Sequence, residues 1–355
     1  MSKHYFLKVK EVEKETDEAA TIHFWHPLNE VIVYRPGQFL TLLLPTEDGS
    51  KLRRSYSMSS SPYTDVSLAI TVKRIPGGFA SNMLLDTIKE GDILEAVEPM
   101  GSFFPKQEDD QVRQVVFIGA GSGITPLFSI LKSILIVEPE SSVFLVYGSR
   151  KEDTIIFKNK IAALKEKYGD RFQVVHTLSQ PSESWSGETG RLNKTHILKI
   201  LGQLPDLNSN EAEYYLCGPE DMIDEAKSAL SILGVPDPKV RRESFATASS
   251  TQPGEVIVAE DDTYKTREVT IFYEGTEYKV PVQAHETVLE AALNMDIDLP
   301  YSCQAGMCTA CMGRCVSGTV QMDEDEGLTQ GEKDAGFILT CVTRPLTDDV
   351  ILEVE

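Results

Sequence analysis

Cys303, Cys308 and Cys311 stand in the run YSCQAGMCTAC with the spacing C-x4-C-x2-C, and Cys341 follows thirty residues after the third. Four thiolates at this spacing match plant-type [2Fe–2S] ligation, whose reduction potentials fall near roughly −400 mV. Zinc ribbons favour paired knuckles on both sides of the site, and here the fourth cysteine stands alone. A disulfide framework suits a small secreted chain rather than one of 355 residues with six cysteines. The spacing therefore points to a cluster that moves single electrons. Small residues in the loop, Ala305, Gly306, Thr309 and Ala310, allow main-chain amides to approach the sulfurs closely. Cys315 breaks the spacing and reads as a small core residue.

A second chemical signal is GAGSGITP, Gly119 to Pro126, which follows the apolar run VVFI. The six-residue dinucleotide fingerprint ends in glycine, but Ile124 holds that position here, and no Gly-Lys-Ser/Thr follows as a P-loop requires. A glycine turn at a helix N-terminus still aims main-chain N–H groups at a pyrophosphate. A plain strand-to-helix turn is the alternative. The next strand-like run ends in Ser149, Arg150 and Lys151, where a basic residue accommodates a 2′-phosphate, as in NADPH. Glu152 and Asp153 follow at once, and an acidic residue there favours NADH. The third signal is RRSYS, Arg53 to Ser57. An arginine, an aromatic ring and a hydroxyl on one extended segment can hold a diphosphate, stack on a flat ring and donate to a ring nitrogen. Such residues also serve packing and solubility on many strands.

The elements that must position these residues fall into three textures. Residues 1–108 carry short apolar or alternating runs such as QFLTLLL and VSLAITV, which predict an antiparallel β-barrel or sandwich. GFASNMLLDTIKEG is the one helix expected there, opened by Ser81 and closed by Gly91. Residues 109–245 alternate apolar strands with helical segments, which predicts an α/β domain on a parallel sheet. Residues 246–266 are small, polar and turn-rich and read as a linker, although EVIVAE within them has strand character. From 267 to 355 a hairpin (REVTIFYEG-TEYKVPV) and a short helix (ETVLEAALNM) precede the cysteines. The stretch Val115 to Val137 is long enough to span a bilayer, but its glycines, Pro126 and Lys132 favour a strand, a turn and a core helix. With no export signal read at the N-terminus, a soluble cytoplasmic protein is expected.

Charge narrows the partner. The net charge of −21 argues against nucleic acid. From Arg267 onward seventeen Asp/Glu face five Lys/Arg, a net of −12 in the last quarter. That surface either promotes solubility or steers a basic partner toward the cysteines.

Taken in order, these motifs resemble the ferredoxin–NADP reductase superfamily with a plant-type ferredoxin domain fused at the C-terminus. The resemblance covers the whole chain and makes an antiparallel β-barrel the expectation for the first, FAD-binding domain. It implies that Arg54 binds the FAD diphosphate, that Ser55 belongs to the same R-x-Y-S element, that Tyr56 stacks on the isoalloxazine and that Ser57 approaches N5. Gly78, Phe79, Ala80 and Ser81 match the family's second FAD-phosphate element. Gly119, Gly121, Gly123, Thr125 and Pro126 match its nicotinamide-dinucleotide loop, with Ser149 and Arg150 toward the adenosine ribose. Cys217, Gly218 and Pro219 match its C-G-P element beside the nicotinamide, and Glu243-Ser244-Phe245 resembles the segment closing over the flavin. By the same likeness Cys303, Cys308, Cys311 and Cys341 ligate the cluster in a β-grasp (α+β) domain.

The implied activity is electron transfer from NAD(P)H through FAD and [2Fe–2S] to a partner oxygenase. Cys217, Phe245, Tyr56 and Ser57 then align the two rings. The order FAD, NAD(P), ferredoxin is most like the reductase of phenylacetyl-CoA epoxidase systems, and ring-hydroxylating dioxygenase and ketosteroid hydroxylase reductases can share it. The alternatives are service to a Rieske or membrane diiron hydroxylase, a redox-sensing module, and a flavin reductase carrying a structural zinc.

Overall fold

The computed structural model describes residues 3–25, 31–46, 49, 51–105, 111–204, 207–245, 265–301, 304, 306, 309–323, 327–328 and 330–354. Two compact units divide the chain: one takes Ser2–Pro99 and Phe103–Ser244, the other Phe245–Glu355 with the short segment Met100–Ser102.

The first unit begins with six strands: β1 (His4–Thr16), β2 (Ala19–Trp25), β3 (Phe39–Pro45), β4 (Lys51–Ser57), β5 (Leu68–Lys73) and β6 (Ile93–Met100). Their order is β4-β3-β6-β1-β2-β5, with antiparallel pairing of β1 to β2 and β6, of β2 to β5, and of β3 to β4. A bridge from Met58 to Ile70 joins the two ends, so the sheet closes into a barrel and leaves no open edge there. Alternation decides which face is inside: Leu7, Val9, Ile22, Phe24, Leu40, Leu42, Met58, Ile70 and Val72 form the barrel core. The opposite parity carries Ser57, Ser59, Thr21, Thr71 and Lys73 on the outer face. Helix α1 (Phe79–Asp86) starts two residues before the expected Ser81, with Gly78 at its N-cap. Ser81 lies inside the first turn, where its Oγ accepts from the Ile75 amide at 3.0 Å.

An all-parallel sheet follows: β7 (Gln114–Ala120), β8 (Ser142–Ser149), β9 (Phe172–Leu178), β10 (Glu188–Thr189), β11 (Glu213–Gly218) and β12 (Val240–Ser244). Its order is β10-β9-β8-β7-β11-β12. Helices α2 (Ile124–Val137) and α3 (Lys158–Tyr168) cover one face; α4 (Lys194–Leu201) and α5 (Glu220–Ile232) cover the other. Because both faces are covered, β7, β8 and β11 are almost continuously buried. The order reverses between β7 and β11, and in open α/β sheets such a switch point opens a ligand crevice at the strand C-termini. The glycine loop and Cys217 lie at the ends of those two strands.

The second unit contains β13 (Arg267–Tyr273), β14 (Thr276–Val282), α6 (Val288–Leu293), β15 (Met312–Ser317), β16 (Val320–Met322), α7 (Gln330–Asp334), β17 (Phe337–Leu339), β18 (Thr343–Pro345) and β19 (Ile351–Val354). A mixed sheet runs β14-β13-β19-β15-β17, with β16 and β18 paired separately. The expected hairpin is present. Its turn places Glu274 at φ 49° and Gly275 at φ 77°, as a two-residue connection between twisted strands requires. Thr287 caps α6 reciprocally with Glu290. Val288, Leu289 and Ala292 of α6 pack with Val269, Ile271 and Leu352 of the sheet, and Cys311 and Cys341 belong to the same core. EVIVAE lies outside the described residues. No helix among the described residues is long and apolar enough to cross a membrane.

Candidate functional site

The loop after β7 is held by contacts that only glycine permits. A Cβ on Gly123 would lie 2.1 Å from the Cys217 carbonyl oxygen, so the loop closes directly onto the end of β11. Gly121 takes φ +58°, and its carbonyl accepts from the Tyr147 hydroxyl at 2.8 Å. The Thr125 hydroxyl donates to the Ser122 carbonyl, and Thr125 and Pro126 are buried in the first turn of α2. No side chain caps that turn and no acidic residue occupies it, which leaves its dipole turned toward an anion.

One cation faces this loop, and a second lies within its electrostatic reach. Lys73 comes from the barrel, with Nζ 3.4 Å from the Cβ position of Gly121. Burial, and then the charge of Arg150, pull its pKa below the ordinary lysine value, against Glu18. No hydrogen bond or ion pair engages the Lys73 side chain among the described residues. Arg150 lies exposed just past β8, after the half-buried Ser149. Two like charges held together beside an uncapped helix start fit a bound diphosphate. Lys73 went unremarked in the sequence; its signal was its position at the end of LAITVK, in the outward parity of β5.

Around Ser57 the structure brings together residues 186 positions apart. The Ser57 hydroxyl donates to Glu243 Oε2 at 3.0 Å, with both residues about 5% exposed. Glu243 pairs with Cys217 across the β11–β12 register. Burial, and then the Glu243 carboxylate, raise the Cys217 thiol well above its usual range, so it stays neutral at physiological pH. Tyr56 packs against the barrel core, and burial pushes its phenol up to about 12 despite Arg54 nearby. Arg54 donates to the Arg53 carbonyl, and Ser55 shares a hydrogen bond with Thr41 at 3.1 Å. Ala80 and Ser81 are buried in α1, whose N-cap Gly78 has no side-chain cap, and Phe79 is half exposed. An aromatic ring, a buried hydroxyl and an uncapped helix start on one barrel fit a flavin dinucleotide. Gly218 and Pro219 lead from Cys217 into α5, and Phe245 is exposed just beyond β12.

A polar seam holds barrel and nucleotide sheet in one geometry. Lys160 of α3 donates to Glu13 and Glu15 of β1, at 2.6 Å each. Lys132 of α2 pairs with Asp65, Ser133 with Ser61, and Ser129 with the Ser60 carbonyl. Such fixed contacts keep two ring-binding surfaces in register.

On β9, His176 lies beside Tyr147, and its buried Nδ1 has no partner. Burial, and then Lys158, lower its pKa from 6.5 to about 4. The unfolded chain therefore binds a proton that the folded one refuses, so this stability is present above pH 6.5 and is lost as pH falls toward 4. It amounts to as much as ~3 kcal/mol. His176→Gln is expected to flatten that acid limb in urea titrations compared at pH 7.5 and pH 5.

In the second unit Cys311 is 1% and Cys341 4% exposed. The Thr340 amide and hydroxyl both donate to the Cys311 carbonyl, at 3.0 and 3.1 Å. That bracket locks the two cysteine-bearing segments together. Gln304 and Gly306 take φ +54° and +68°, a folded-back loop suited to wrapping a cluster. Cys303 and Cys308 lie outside the described residues. Cys315 is on β15, and its thiol donates to the Ser317 carbonyl.

Known proteins carry related domains. The chain matches an oxidoreductase FAD-binding domain over 6–104, an oxidoreductase NAD-binding domain over 117–228 and a 2Fe-2S iron-sulfur cluster binding domain over 271–346. It is 35% identical to a component of the 1,2-phenylacetyl-CoA epoxidase of Escherichia coli, over 100% of this chain and 99% of that one. It is 36% identical to the ferredoxin reductase component of 3-ketosteroid-9-alpha-monooxygenase from Rhodococcus rhodochrous, over 99% and 97%. Among solved structures, phthalate dioxygenase reductase shares the fold with a TM-score of 0.61 at 22% identity, over 99% of this chain and 98% of that one.

Proposed function

Because the chain belongs to the family of oxygenase reductases built from FAD-binding, NAD-binding and 2Fe-2S domains, we propose that it passes electrons from NADPH to an oxygenase of the phenylacetyl-CoA epoxidase type. The observation that carries the reading is the meeting of Ser57, Glu243 and Cys217 at the switch point of the nucleotide sheet. NAD(P)H gives two electrons as a hydride, whereas a [2Fe–2S] centre takes one. Bound FAD supplies the chemistry that splits the pair.

The chain's own residues bind and align. Arg54, Tyr56 and the α1 start from Gly78 to Ser81 hold the flavin in this reading. The loop Gly119 to Pro126, with Lys73, holds the pyrophosphate, and Gly218 and Pro219 fix the approach to Cys217. Phe245 closes over the ring. The neutral Cys217 thiol packs beside the nicotinamide without competing as a nucleophile. Cys303, Cys308, Cys311 and Cys341 carry the cluster. We divide the chain at 1–108, 109–245 and 267–355, with 246–266 as the linker.

The acidic last domain, with Asp296 and Asp298 exposed just ahead of the cysteine loop, is assigned as the docking face for the oxygenase. A cytoplasmic location accompanies that assignment. Identity to the ketosteroid enzyme's reductase is equally high, which supports that oxygenase class as the second reading.

The test starts from absorbance and nucleotide kinetics. The purified protein should carry flavin and cluster absorbance, both bleached by NADPH. A colourless, zinc-containing product would sink the reading. Arg150→Ala should raise the KM for NADPH ~10-fold and leave that for NADH unchanged, while Lys73→Ala should raise both, as loss of a charged phosphate contact implies. Reconstitution with each oxygenase type, at rising salt, then identifies the acceptor by product formed and checks the acidic docking face.

A further inference from the structure

Oxidation of NAD(P)H by one-electron acceptors yields NAD(P)+, two electrons and one proton. The electrons leave through the cluster to the oxygenase, so the proton needs its own way out of a buried site. The outer face of the barrel holds a chain of buried hydroxyls that starts two residues past Ser57. Ser59 Oγ lies 2.7 Å from Thr71 Oγ1, which lies 2.8 Å from Thr21 Oγ1, which donates to Glu15 Oε1 at 2.7 Å. Ser59, Thr71 and Thr21 are between 2% and 5% exposed.

Each hydroxyl owns one hydrogen, so the chain has a single consistent polarity. Thr21 gives its hydrogen to Glu15; Thr71 must then give its own to Thr21, and Ser59 gives its own to Thr71 at 2.7 Å in preference to the Ala69 carbonyl at 3.5 Å. Every hydrogen points at the carboxylate. The lone pairs of Ser59 at the head are left to accept. Ser57 and Ser59 flank Met58, which is wholly buried in the barrel core, so both hydroxyls lie on the opposite face, about 7 Å apart along the strand. At the far end the Glu15 side chain is 6% exposed, but Lys160 and Glu13 beside it are 34% and 39% exposed and reach water.

We infer that Ser59, Thr71, Thr21 and Glu15 form the path by which one proton per NAD(P)H leaves the flavin site. The inference rests on the assignment of Ser57 to that site. In the step, the proton released in the flavin site crosses the ~7 Å from Ser57 through one bridging water to the Ser59 oxygen, while the hydrogen of Ser59 passes to Thr71, that of Thr71 to Thr21, and that of Thr21 to Glu15. Glu15 then releases the proton to water beside Lys160, and the hydroxyls reset. The charged and titratable groups around Glu15 are Lys160 from α3, Lys132 from α2, Tyr147 from β8, and Glu13 and His23 on the barrel.

Thr71→Val and Thr21→Val preserve side-chain shape and break the chain at different links. The first readout is anaerobic flavin bleaching by NADPH, with FAD content. The second is proton release during turnover with an acceptor, followed with a pH indicator in weak buffer. The third is the infrared difference spectrum on photoreduction without nucleotide, in wild type and Glu15→Gln. Bleaching should stay within about twofold, while proton release should slow by at least ~10-fold, toward the ~10² that a positioned proton-transfer group contributes. Thr71→Ser should restore it, and a carboxylic-acid carbonyl band should vanish in Glu15→Gln. Proton release that keeps pace with electron delivery in both valine variants overturns the path. Loss of FAD or of bleaching in Ser57→Ala but in neither valine variant supports the site; retention of both in Ser57→Ala overturns the site assignment, and the inference with it.

Discussion

Cys341→Ser is expected to remove the cluster absorbance, cut electron delivery to the oxygenase and leave the flavin reducible by NADPH. Cys341 is nearly fully buried in the core of the second unit, on the segment that Thr340 ties to the Cys311 carbonyl. A ligand lost there takes the one-electron exit with it, because hydride chemistry upstream has no other route to the partner. Electron delivery should fall by more than the ~10- to 100-fold that loss of an outer-sphere partner alone costs a metal site. Stability should fall too. Binding at a metal centre is folding free energy for the domain that carries it, and domains of this size have little core to spare. A loss of ~2 kcal/mol would lower the Tm of a domain under 100 residues by ~8 °C or more. The check is threefold: visible absorbance, anaerobic flavin bleaching, and calorimetry of the C-terminal transition. Retention of cluster absorbance and partner reduction in Cys341→Ser would falsify the ligand assignment.

What the sequence disclosed was local. The first three cysteines, the glycine turn after VVFI and the hairpin ahead of α6 each rest on one short contiguous run, and each pattern admits few physical uses. The alternation of strands and helices in the middle of the chain likewise predicts the parallel sheet that is present. The site itself is assembled from long-range pairings. Ser57 meets Glu243 across 186 positions, Lys160 meets Glu15 across 145, and Thr21 meets Thr71 across 50. Nothing local in Ala-Thr-Ile-His marks Thr21 as part of a hydroxyl chain; the β2–β5 pairing sets it opposite Thr71, and barrel closure at Met58 and Ile70 brings Ser59 to the head of the chain. The early start of α1 has the same lesson at shorter range. Ser81 is a good capping residue, but the chain folds back to let it accept from Ile75, and Gly78 takes the cap.

The second large effect is expected at Glu243. Its carboxylate accepts the Ser57 hydrogen, and its register partner is Cys217, so one buried group fixes the direction of a hydroxyl and adds to the burial that keeps a thiol neutral. Glu243→Ala should leave Ser57 without its acceptor. The hydroxyl is then able to rotate, and the ring it aligns loses a fixed contact. Misplacement of about 1 Å at a reacting centre costs ~10² in rate, and loss of an oriented donor costs ~10²–10³, or ~3–4 kcal/mol of barrier. The deficit should appear in the rate of anaerobic flavin bleaching at saturating NADPH, with little change in KM, because the residues proposed to hold the pyrophosphate, Gly121 and Lys73, are untouched. Glu243→Gln separates geometry from charge. Its amide oxygen still accepts from Ser57, so most of the rate should return, while the Cys217 thiol loses the neighbouring negative charge and stays neutral through burial. Equal bleaching rates in wild type and Glu243→Ala, with FAD fully bound, would show that Ser57 is aligned by the barrel alone. Alanine and glutamine variants equally slow would instead make the charge, not the hydrogen bond, the working part.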